Sequence, residues 1–245
     1  MKLKKVKFSL IELLVVIAVL AILVSLVSPS LKKSLENASF LGCKSNYKQL
    51  YIAIGFYLDD FEHYPLAMVN PDGDDRGGIV WDDLLGMGYD GRGLTYKNAK
   101  IFNLPSEKAG NKDALKQYAC PSDTIDMSYS IRARRSYAYN IYQYSGNKEG
   151  FSNAWDSGER WSASIFEVPD PSGTLILGER TSGIGGMGSA GIANPNWHAT
   201  APQHKGEYNY LFADGHAEKF DKEDTKDPNK GNWNAGRMWT RKAGD

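Results

Sequence analysis

The chain has 245 residues and carries 29 basic and 29 acidic side chains, so it is neutral overall. That length allows one large domain or two small ones. A nucleic-acid partner is not expected, because the only dense cationic cluster is Met1–Lys7, which contains four lysines. Without those four lysines, 25 basic residues face 29 acidic ones, which makes the remainder mildly acidic.

An apolar run of about twenty residues, Phe8–Val27, follows the lysines directly. Coiled as a helix, it matches the thickness of a bilayer's hydrocarbon core. The lysines in front of it place the N-terminus in the cytoplasm and everything after Val27 in the periplasm or outside the cell. A secretory signal peptide and a simple anchor are the alternatives. The run is longer than a signal h-region, and no clean Ala-x-Ala cleavage site follows it.

One carboxylate, Glu12, lies inside this apolar run. A charge at the centre of a bilayer costs roughly 2.5–3.5 kcal/mol on insertion scales. A simple anchor would not carry such a residue. In a protein with a single span, the group that compensates Glu12 must come from another chain.

The residues around Glu12 carry a family resemblance. Met1-Lys-Leu-Lys-Lys-Val-Lys7 followed by Phe8-Ser-Leu-Ile-Glu12 resembles the processing site of type IV pilins and type II secretion pseudopilins. The resemblance implies that a prepilin peptidase removes residues 1–7 and methylates the new N-terminal Phe8. It also implies that Glu12 pairs with the N-terminal amine of a neighbouring subunit. Pro29 falls where many pilins have a proline, whereas Lys7 replaces the glycine that is usual in the family.

Three later segments narrow the resemblance. Cys43-Lys-Ser-Asn-Tyr-Lys-Gln-Leu50, Cys120-Pro-Ser-Asp123 and His204-Lys-Gly-Glu-Tyr-Asn-Tyr-Leu-Phe-Ala-Asp214-Gly215 occur in this order. Together they resemble pilin-like proteins with a C-terminal His-x9-Asp-Gly element. The implied protein is a structural subunit and not an enzyme. It would be a single-pass inner-membrane protein with a cytoplasmic N-terminus and a periplasmic head, and its mature form would lie in a periplasmic or surface filament.

The resemblance also implies a set of partners. They are copies of the chain itself and other pilin-like subunits, an inner-membrane assembly platform and prepilin peptidase. The membrane is a further partner, through the apolar run.

After Pro29 the apolar residues recur mainly at intervals of three and four, which is typical of an amphipathic helix. They are Leu31, Leu35, Ala38, Leu41, Tyr47, Leu50, Ile54, Leu58 and Phe61. Pro29 lacks an amide proton and clashes with the preceding turn, which predicts a kink or local melting. We therefore expect a leader at 1–7, a transmembrane helix half at 8–28, an amphipathic helix half at 29–62 and a head at 63–245.

The fold class expected for the whole chain is α+β, with the long helix packed on a head that contains an antiparallel sheet, as in pilins. Ser136–Tyr144 alternates large aromatic residues with smaller or polar ones, which predicts a half-buried strand, and Thr174–Gly178 is a short apolar strand. Glu207–Phe220 is the clearest hairpin. Its Asp214-Gly215 pair supplies the positive φ angles of a tight primed turn.

Glycine and aspartate dominate Asn70–Gly93, which predicts a long loop around one short buried element, Ile79–Trp81. Carboxylates in this loop could hold Ca²⁺, which prefers hard oxygen ligands. The candidates are Asp72, Asp74 and Asp75, with Asp82 and Asp83 nearby. Because their spacing is not that of an EF-hand, we favour solvated loop carboxylates and expect no cofactor.

Cys43 and Cys120 both lie in the part that is expected to be exported, where disulfides persist. An even number of cysteines fits one bridge, and two separate buried thiols are the alternative. A bridge would join the long helix to the segment that follows a short helix predicted at Asp113–Tyr118. No pair of histidines gives the cysteines the spacing of zinc ligands, so no metal site is expected on them.

The C-terminal polar residues suggest a metal site or a catalytic site. They are His204, Asp214 and His216, with His198 close in sequence. Because Asp is favoured at a turn for backbone reasons, hairpin architecture is the preferred interpretation, with His204 bonded to a neighbouring loop. No Gly-x-Ser-x-Gly motif is present, so an anchored hydrolase has little support.

The aromatic residues leave a second function open, the binding of an extracellular ligand. Trp155, Trp161 and Trp197 could line a surface that binds glycans. The chain would then be a membrane- or filament-tethered module that captures polysaccharide or another extracellular ligand. Buried packing is the simpler explanation for most of the aromatic residues.

Overall fold

A long N-terminal helix and a small mixed sheet dominate the structure, a computed structural model. It describes residues 9–69, 78–101, 105–123, 134–140, 143–144, 147–148, 151–152, 161–179, 192–193, 204, 207–221 and 224. Two compact units are distinguished, Met1–Ser39 and Phe40–Asp245. The expected α+β class is confirmed.

The helix α1 (Leu10–Phe61) has 52 residues, and it continues through Pro29. The local melting expected at Pro29 is therefore wrong, since the surrounding turns keep the helix intact, and the kink stays a prediction. The helix ends where Glu62 adopts a left-handed backbone with φ of 59°, while its amide donates to the carbonyl of Leu58 at 2.8 Å. This is a common way for a helix to stop. Among the described residues, α1 is the one helix long and apolar enough to cross a membrane.

Only the C-terminal part of α1 contributes to the core. The residues of α1 that are buried are Cys43, Tyr47, Leu50, Ala53 and Ile54. They recur every three or four positions, as the amphipathic pattern predicts. Two other apolar residues of the predicted pattern, Leu41 and Phe61, remain 62% and 54% exposed.

The main sheet has five strands, β3 (Tyr137–Asn140), β6 (Leu175–Glu179), β7 (Ile192–Ala193), β8 (Tyr208–Phe212) and β9 (Ala217–Phe220). Their spatial order is β7-β3-β6-β8-β9. Four of them pair antiparallel, and β7 pairs parallel to β3 at the edge. A register shift between Leu175 and Leu177 marks a bulge where β6 meets β8.

The strands of the sheet centre are buried on both faces. Tyr137 and Tyr139 of β3 join the core cluster that contains the buried residues of α1, whereas Ala138 joins a second cluster on the other face with Tyr210 and Phe212. The strand expected at 136–144 is confirmed over Tyr137–Asn140, whereas its expected half-burial is wrong, because every residue of β3 is buried.

Short elements complete the described head. They are β1 (Met68–Val69), β2 (Ile79–Val80), α2 (Trp81–Gly86), α3 (Tyr96–Ala99), α4 (Lys112–Leu115), β4 (Gln143–Tyr144), β5 (Asn147–Lys148) and three 3₁₀ turns at Ser106–Lys108, Lys116–Tyr118 and Ile165–Glu167. The buried element expected at 79–81 is confirmed, but it continues as α2 where a loop was predicted. The short helix expected before Cys120 is confirmed by α4 and the 3₁₀ turn after it.

The predicted hairpin is confirmed, with Leu211 opposite Ala217 and Tyr208 opposite Phe220. Its turn differs from the expectation. Gly215 has a positive φ of 86°, whereas Asp214 does not, and the amide of Gly215 donates to the carbonyl of Phe212 at 3.0 Å. These features describe a three-residue loop whose last position is left-handed, not a two-residue primed turn.

Candidate functional site

The first candidate site is the start of α1, where Glu12 lies exposed in the third helical position. Its carboxylate accepts a hydrogen bond from the backbone N–H of Ser9 at 2.8 Å, and the Ser9 hydroxyl accepts one from Ile11 at 3.4 Å. Glu12 thus supplies its half of a capping box, for which Ser-x-x-Glu is the sequence signal, while the Ser9 hydroxyl caps the amide of Ile11. The sequence interpretation missed this local role of Glu12. Lys7 and Phe8 lie outside the described residues.

The second candidate site surrounds the disulfide. Cys43 of α1 and Cys120 are bridged, with their Cα atoms 5.1 Å apart and 77 residues apart in sequence. The predicted bridge is confirmed, and the alternative of two separate thiols is wrong. A bond that closes a loop of this length stabilises a fold by roughly 2–4 kcal/mol.

A buried polar cluster lies against the disulfide. His204 Nε2 lies 3.4 Å from Cys120 Sγ and 2.9 Å from Glu179 Oε1. Because a carboxylate can only accept, Nε2 carries the proton in the contact with Glu179. Asn209 adds two donors to the same carboxylate, its backbone N–H to Oε2 at 3.0 Å and its Nδ2 to Oε1 at 2.7 Å. The buried charge of Glu179 is thus satisfied by three hydrogen bonds.

This cluster fixes α1 to strand β8. The hydroxyl of Tyr47 donates to the carbonyl of Asn209 at 2.9 Å, and its ring lies 4.5 Å from that of Tyr137. Burial raises the pKa of the Tyr47 phenol well above its ordinary value, and the nearby charge of Glu179 raises it further. The neutral phenol is therefore retained as a hydrogen-bond donor.

The His-x9-Asp-Gly element spans the length of β8 and contacts α1 at both ends. At one end His204 meets Phe40 edge to face, with ring centroids 5.9 Å apart, beside Cys43. At the other end Gly215 lies so close to Tyr51 that a Cβ would come within about 2.4 Å of its ring. From position 40 to position 51 the helix rises about 16 Å, which a strand of five residues also covers. The element thus aligns a strand with the helix, and Gly215 allows the close approach.

His204, Asp214 and His216 do not form one site. Asp214 and His216 pair with each other on the hairpin, where Nδ1 lies 2.6 Å from Oδ1 and both side chains are 38% exposed. His204 lies at the opposite end of β8. The expected hairpin architecture is therefore confirmed, while His204 bonds to a strand residue, Glu179, in place of the loop that we expected. His198 lies outside the described residues.

A third group of buried charges lies beneath α2. Asp82 faces the guanidinium groups of Arg135 and Arg92, the latter with its Nη1 3.8 Å from Oδ2. Arg92 also donates through Nε to Asp90 at 2.6 Å. Burial raises the pKa of Asp83 well above its usual range, and the charge of Asp82 raises it further. The network holds α2 against the segment before β3.

The loop carboxylates do not form a described calcium site. Asp72, Asp74 and Asp75 lie outside the described residues, so their role stays a prediction. Asp82 and Asp83, expected to be solvated nearby, are fully buried, and Asp82 faces two arginines. This correction follows from α2, which turns both carboxylates inward, and the positive charges would compete with a cation.

The aromatic residues of the described chain mostly form the core. The fully buried ones include Trp81, Tyr118, Tyr137, Tyr139 and Tyr210. Trp155 and Trp197 lie outside the described residues, and Trp161 is half-buried. The described part of the chain therefore adds no support for a glycan-binding surface.

No protein-family model, curated protein or solved structure matches this chain. Its function must be inferred from its own residues. They offer an exposed apolar helix with one acid near its start, and a head fixed to the same helix by a disulfide and a buried polar cluster.

Proposed function

We propose that the chain is a pilin-like (pseudopilin) structural subunit of a type II secretion or type IV pilus-like filament. Prepilin peptidase would cleave it between Lys7 and Phe8, and the subunit would assemble through α1. The observation that carries the proposal is the exposure of every side chain from residue 9 to residue 35 of a helix whose residues 10–27 are almost entirely apolar. An all-round apolar helix requires lipid or other helices around it.

Glu12 is the contact that would give the packed helices a fixed stagger. Its present partner is the backbone amide of Ser9, a neutral donor. Cleavage before Phe8 creates a cationic amine one residue from that position. The amine of an adjacent subunit would form a stronger, charge-assisted bond with Glu12 in the low dielectric of the membrane. Cleavage and assembly would then be chemically coupled.

In each assembled subunit the head would be attached to the second half of α1. The disulfide fixes the head to α1 at Cys43, and the contacts of Tyr47 and Tyr51 follow at one-turn intervals. These three attachments would keep this part of the helix and the sheet together.

Two substitutions at Glu12 test the proposal. Glu12→Gln keeps the acceptor that completes a capping box, whereas Glu12→Ala removes both the acceptor and the charge. If the charge is the assembly contact, both variants should lose filaments by about a hundredfold. The N-terminal amine of the neighbouring subunit would then lie in the membrane without its carboxylate partner, at a cost of roughly 2.5–3.5 kcal/mol. Filaments sheared from cells would be quantified against membrane-retained subunit, with Glu36→Gln on the same helix as the control.

The two variants separate assembly from helix capping. Wild-type filament yield in Glu12→Gln, together with a loss in Glu12→Ala, would assign Glu12 to the capping box alone and would overturn the proposal. Mass spectrometry of the N-terminus supplies an independent check. A methylated Phe8 is expected on filament subunits, and an intact Met1 there would exclude the coupling of cleavage to assembly.

A further inference from the structure

Four buried side chains bring metal-binding atoms to one place in the head. They are Cys43, Cys120, Glu179 and His204, and one ligand atom from each lies within 4.8 Å of all the others. The four residues are 0%, 3%, 0% and 8% exposed. They come from α1, from the segment after the 3₁₀ turn, from the end of β6 and from the start of the hairpin.

We propose that these four residues form a zinc site when the Cys43–Cys120 disulfide is reduced. Either the disulfide or the bound metal would then connect Cys43 of α1 to Cys120 of the head. This proposal concerns the isolated chain and is independent of filament assembly. The sequence argument against a metal site considered histidine spacing alone, whereas the fold collects ligands from four distant segments.

The donor set fits zinc better than calcium or magnesium. The two thiolates are soft ligands and the imidazole nitrogen is a borderline one, and the carboxylate oxygen, although hard, is also a ligand that Zn²⁺ accepts in four-coordinate sites. The contact of His204 Nε2 with both Cys120 Sγ and Glu179 Oε1, at 3.4 and 2.9 Å, shows that the ligand atoms converge. Hard cations would leave the two thiolates unused.

The surroundings also resemble the support of a metal site. Asn209 donates to both oxygens of Glu179, which fixes the orientation of the carboxylate and disperses its charge. Hydrogen bonds of this kind orient metal ligands and tune their affinity. The ring of Phe40 packs edge to face on His204 and restricts its rotation.

The conversion balances with a dithiol as the reductant. The dithiol transfers two electrons and two protons to the disulfide, which gives two cysteine thiols and leaves the reductant as its own disulfide. Zinc binding then releases the two thiol protons. The proton of His204 moves from Nε2 to Nδ1, so that Nε2 binds the metal. Oxidation by a disulfide reagent reverses the sequence and expels Zn²⁺.

The test uses the 245-residue chain purified in detergent, in oxidised form and after reduction by a dithiol that is then removed. Zn²⁺ retained after desalting would be counted by elemental analysis, and Co²⁺ would be used as a spectroscopic probe. We expect about one Zn²⁺ per reduced chain and less than about a tenth of that per oxidised chain. Reduced protein should also show the thiolate-to-cobalt absorption of a tetrahedral site.

Matched histidine variants locate the site. His204→Gln should lose zinc binding and the cobalt band, because it removes a ligand while it keeps a donor for Glu179. His216→Gln, which changes an exposed histidine on the same hairpin, should bind as the wild type does. Equal zinc retention by both variants, or by a Cys43→Ser/Cys120→Ser chain, would overturn the proposal.

A measurement on wild-type protein keeps the proposal testable if the variants fail to fold. Zinc bound by both thiolates should slow their alkylation and their reoxidation by at least about tenfold, and a chelator should restore the original rate. Alkylation that is equally fast with and without Zn²⁺ would contradict the assignment, whatever the behaviour of the variants.

Discussion

The two halves of α1 share one helical backbone but differ in what surrounds their side chains. Residues 9–35 are exposed throughout, although 10–27 are almost entirely apolar. From Cys43 onward one face is buried, and the polar face remains in solvent. The first half lacks the alternation of polar and apolar faces that the second half has.

The difference shows where each half finds its stabilising contacts. The second half buries Leu50 and Ile54 in the chain's own core, so its helical state is stabilised by tertiary packing. Among the described residues of the first unit, 9–39, the side chains of the first half are exposed or at most half-buried. In the proposed filament these apolar side chains would gain free energy from lipid and from other subunits.

The largest expected effect follows from a pair of leucine substitutions, one in each half. Leu50→Ala should lower the free energy of unfolding of the head by about 2–5 kcal/mol, because Leu50 is fully buried. Leu20→Ala, at a residue 54% exposed, should leave that free energy unchanged. Urea unfolding of the chain in detergent, followed by tryptophan fluorescence, measures both values.

The leucine pair would also reveal coupling between the halves. An equal loss in Leu20→Ala would mean that the first half contributes to the stability of the head. The two halves of α1 would then not differ in their contribution to the head. Unchanged stability together with reduced filament yield would support different roles for the two halves.

A pair of glycine substitutions tests the attachment of the hairpin to α1. Gly215→Ala should destabilise the head by about 1–3 kcal/mol, because φ is +86° and the new Cβ would meet the ring of Tyr51. Gly55→Ala is the matched control, since apart from its chain neighbours and the backbone of its own helix no described atom lies within 4 Å of the position of its Cβ. In a helix that change should be neutral or stabilising by up to about 1 kcal/mol. Thermal unfolding of both variants gives the comparison, and equal shifts would exclude the proposed close approach.

The elements that could be predicted from the sequence depend on local patterns. The end of α1, strand β6 and the hairpin follow from periodicity over a few residues or from one Asp-Gly pair. The disulfide followed from the count of two cysteines and the expected export. The capping contact between Ser9 and Glu12 also has a local sequence signal, Ser-x-x-Glu.

The buried polar groups could not be predicted because their partners are distant in sequence. Glu179 is the last residue of β6, directly after an apolar run, where the sequence suggests an exposed charge, yet it meets His204 and Asn209 in the core beside β8. Arg135 likewise finds its buried partner, Asp82, only because α2 turns that carboxylate inward. Periodicity over a window of residues carries no information on such pairs.

The smallest expected effect concerns pH and the core next to α1. Burial raises the pKa of Tyr64 from 10.0 to about 12, because the charged phenolate is disfavoured in the folded state. The unfolded chain therefore loses this proton first. The contribution of the protonated Tyr64 phenol to the free energy of unfolding is complete below about pH 10 and is lost as the pH rises from about 10 through 12. At about pH 11 a single group of this kind accounts for about 1 kcal/mol.

Tyr64→Phe isolates this contribution. The difference in unfolding free energy between wild type and variant at about pH 8 reports only the loss of the hydroxyl, whereas the change in that difference by about pH 11 reports the titration. We expect the stability of the wild type to fall more steeply over this interval, by about 1 kcal/mol. Parallel pH profiles would show that Tyr64 titrates alike in both states. The core beside the second half of α1 would then be open to water, which would remove the contrast with the exposed first half.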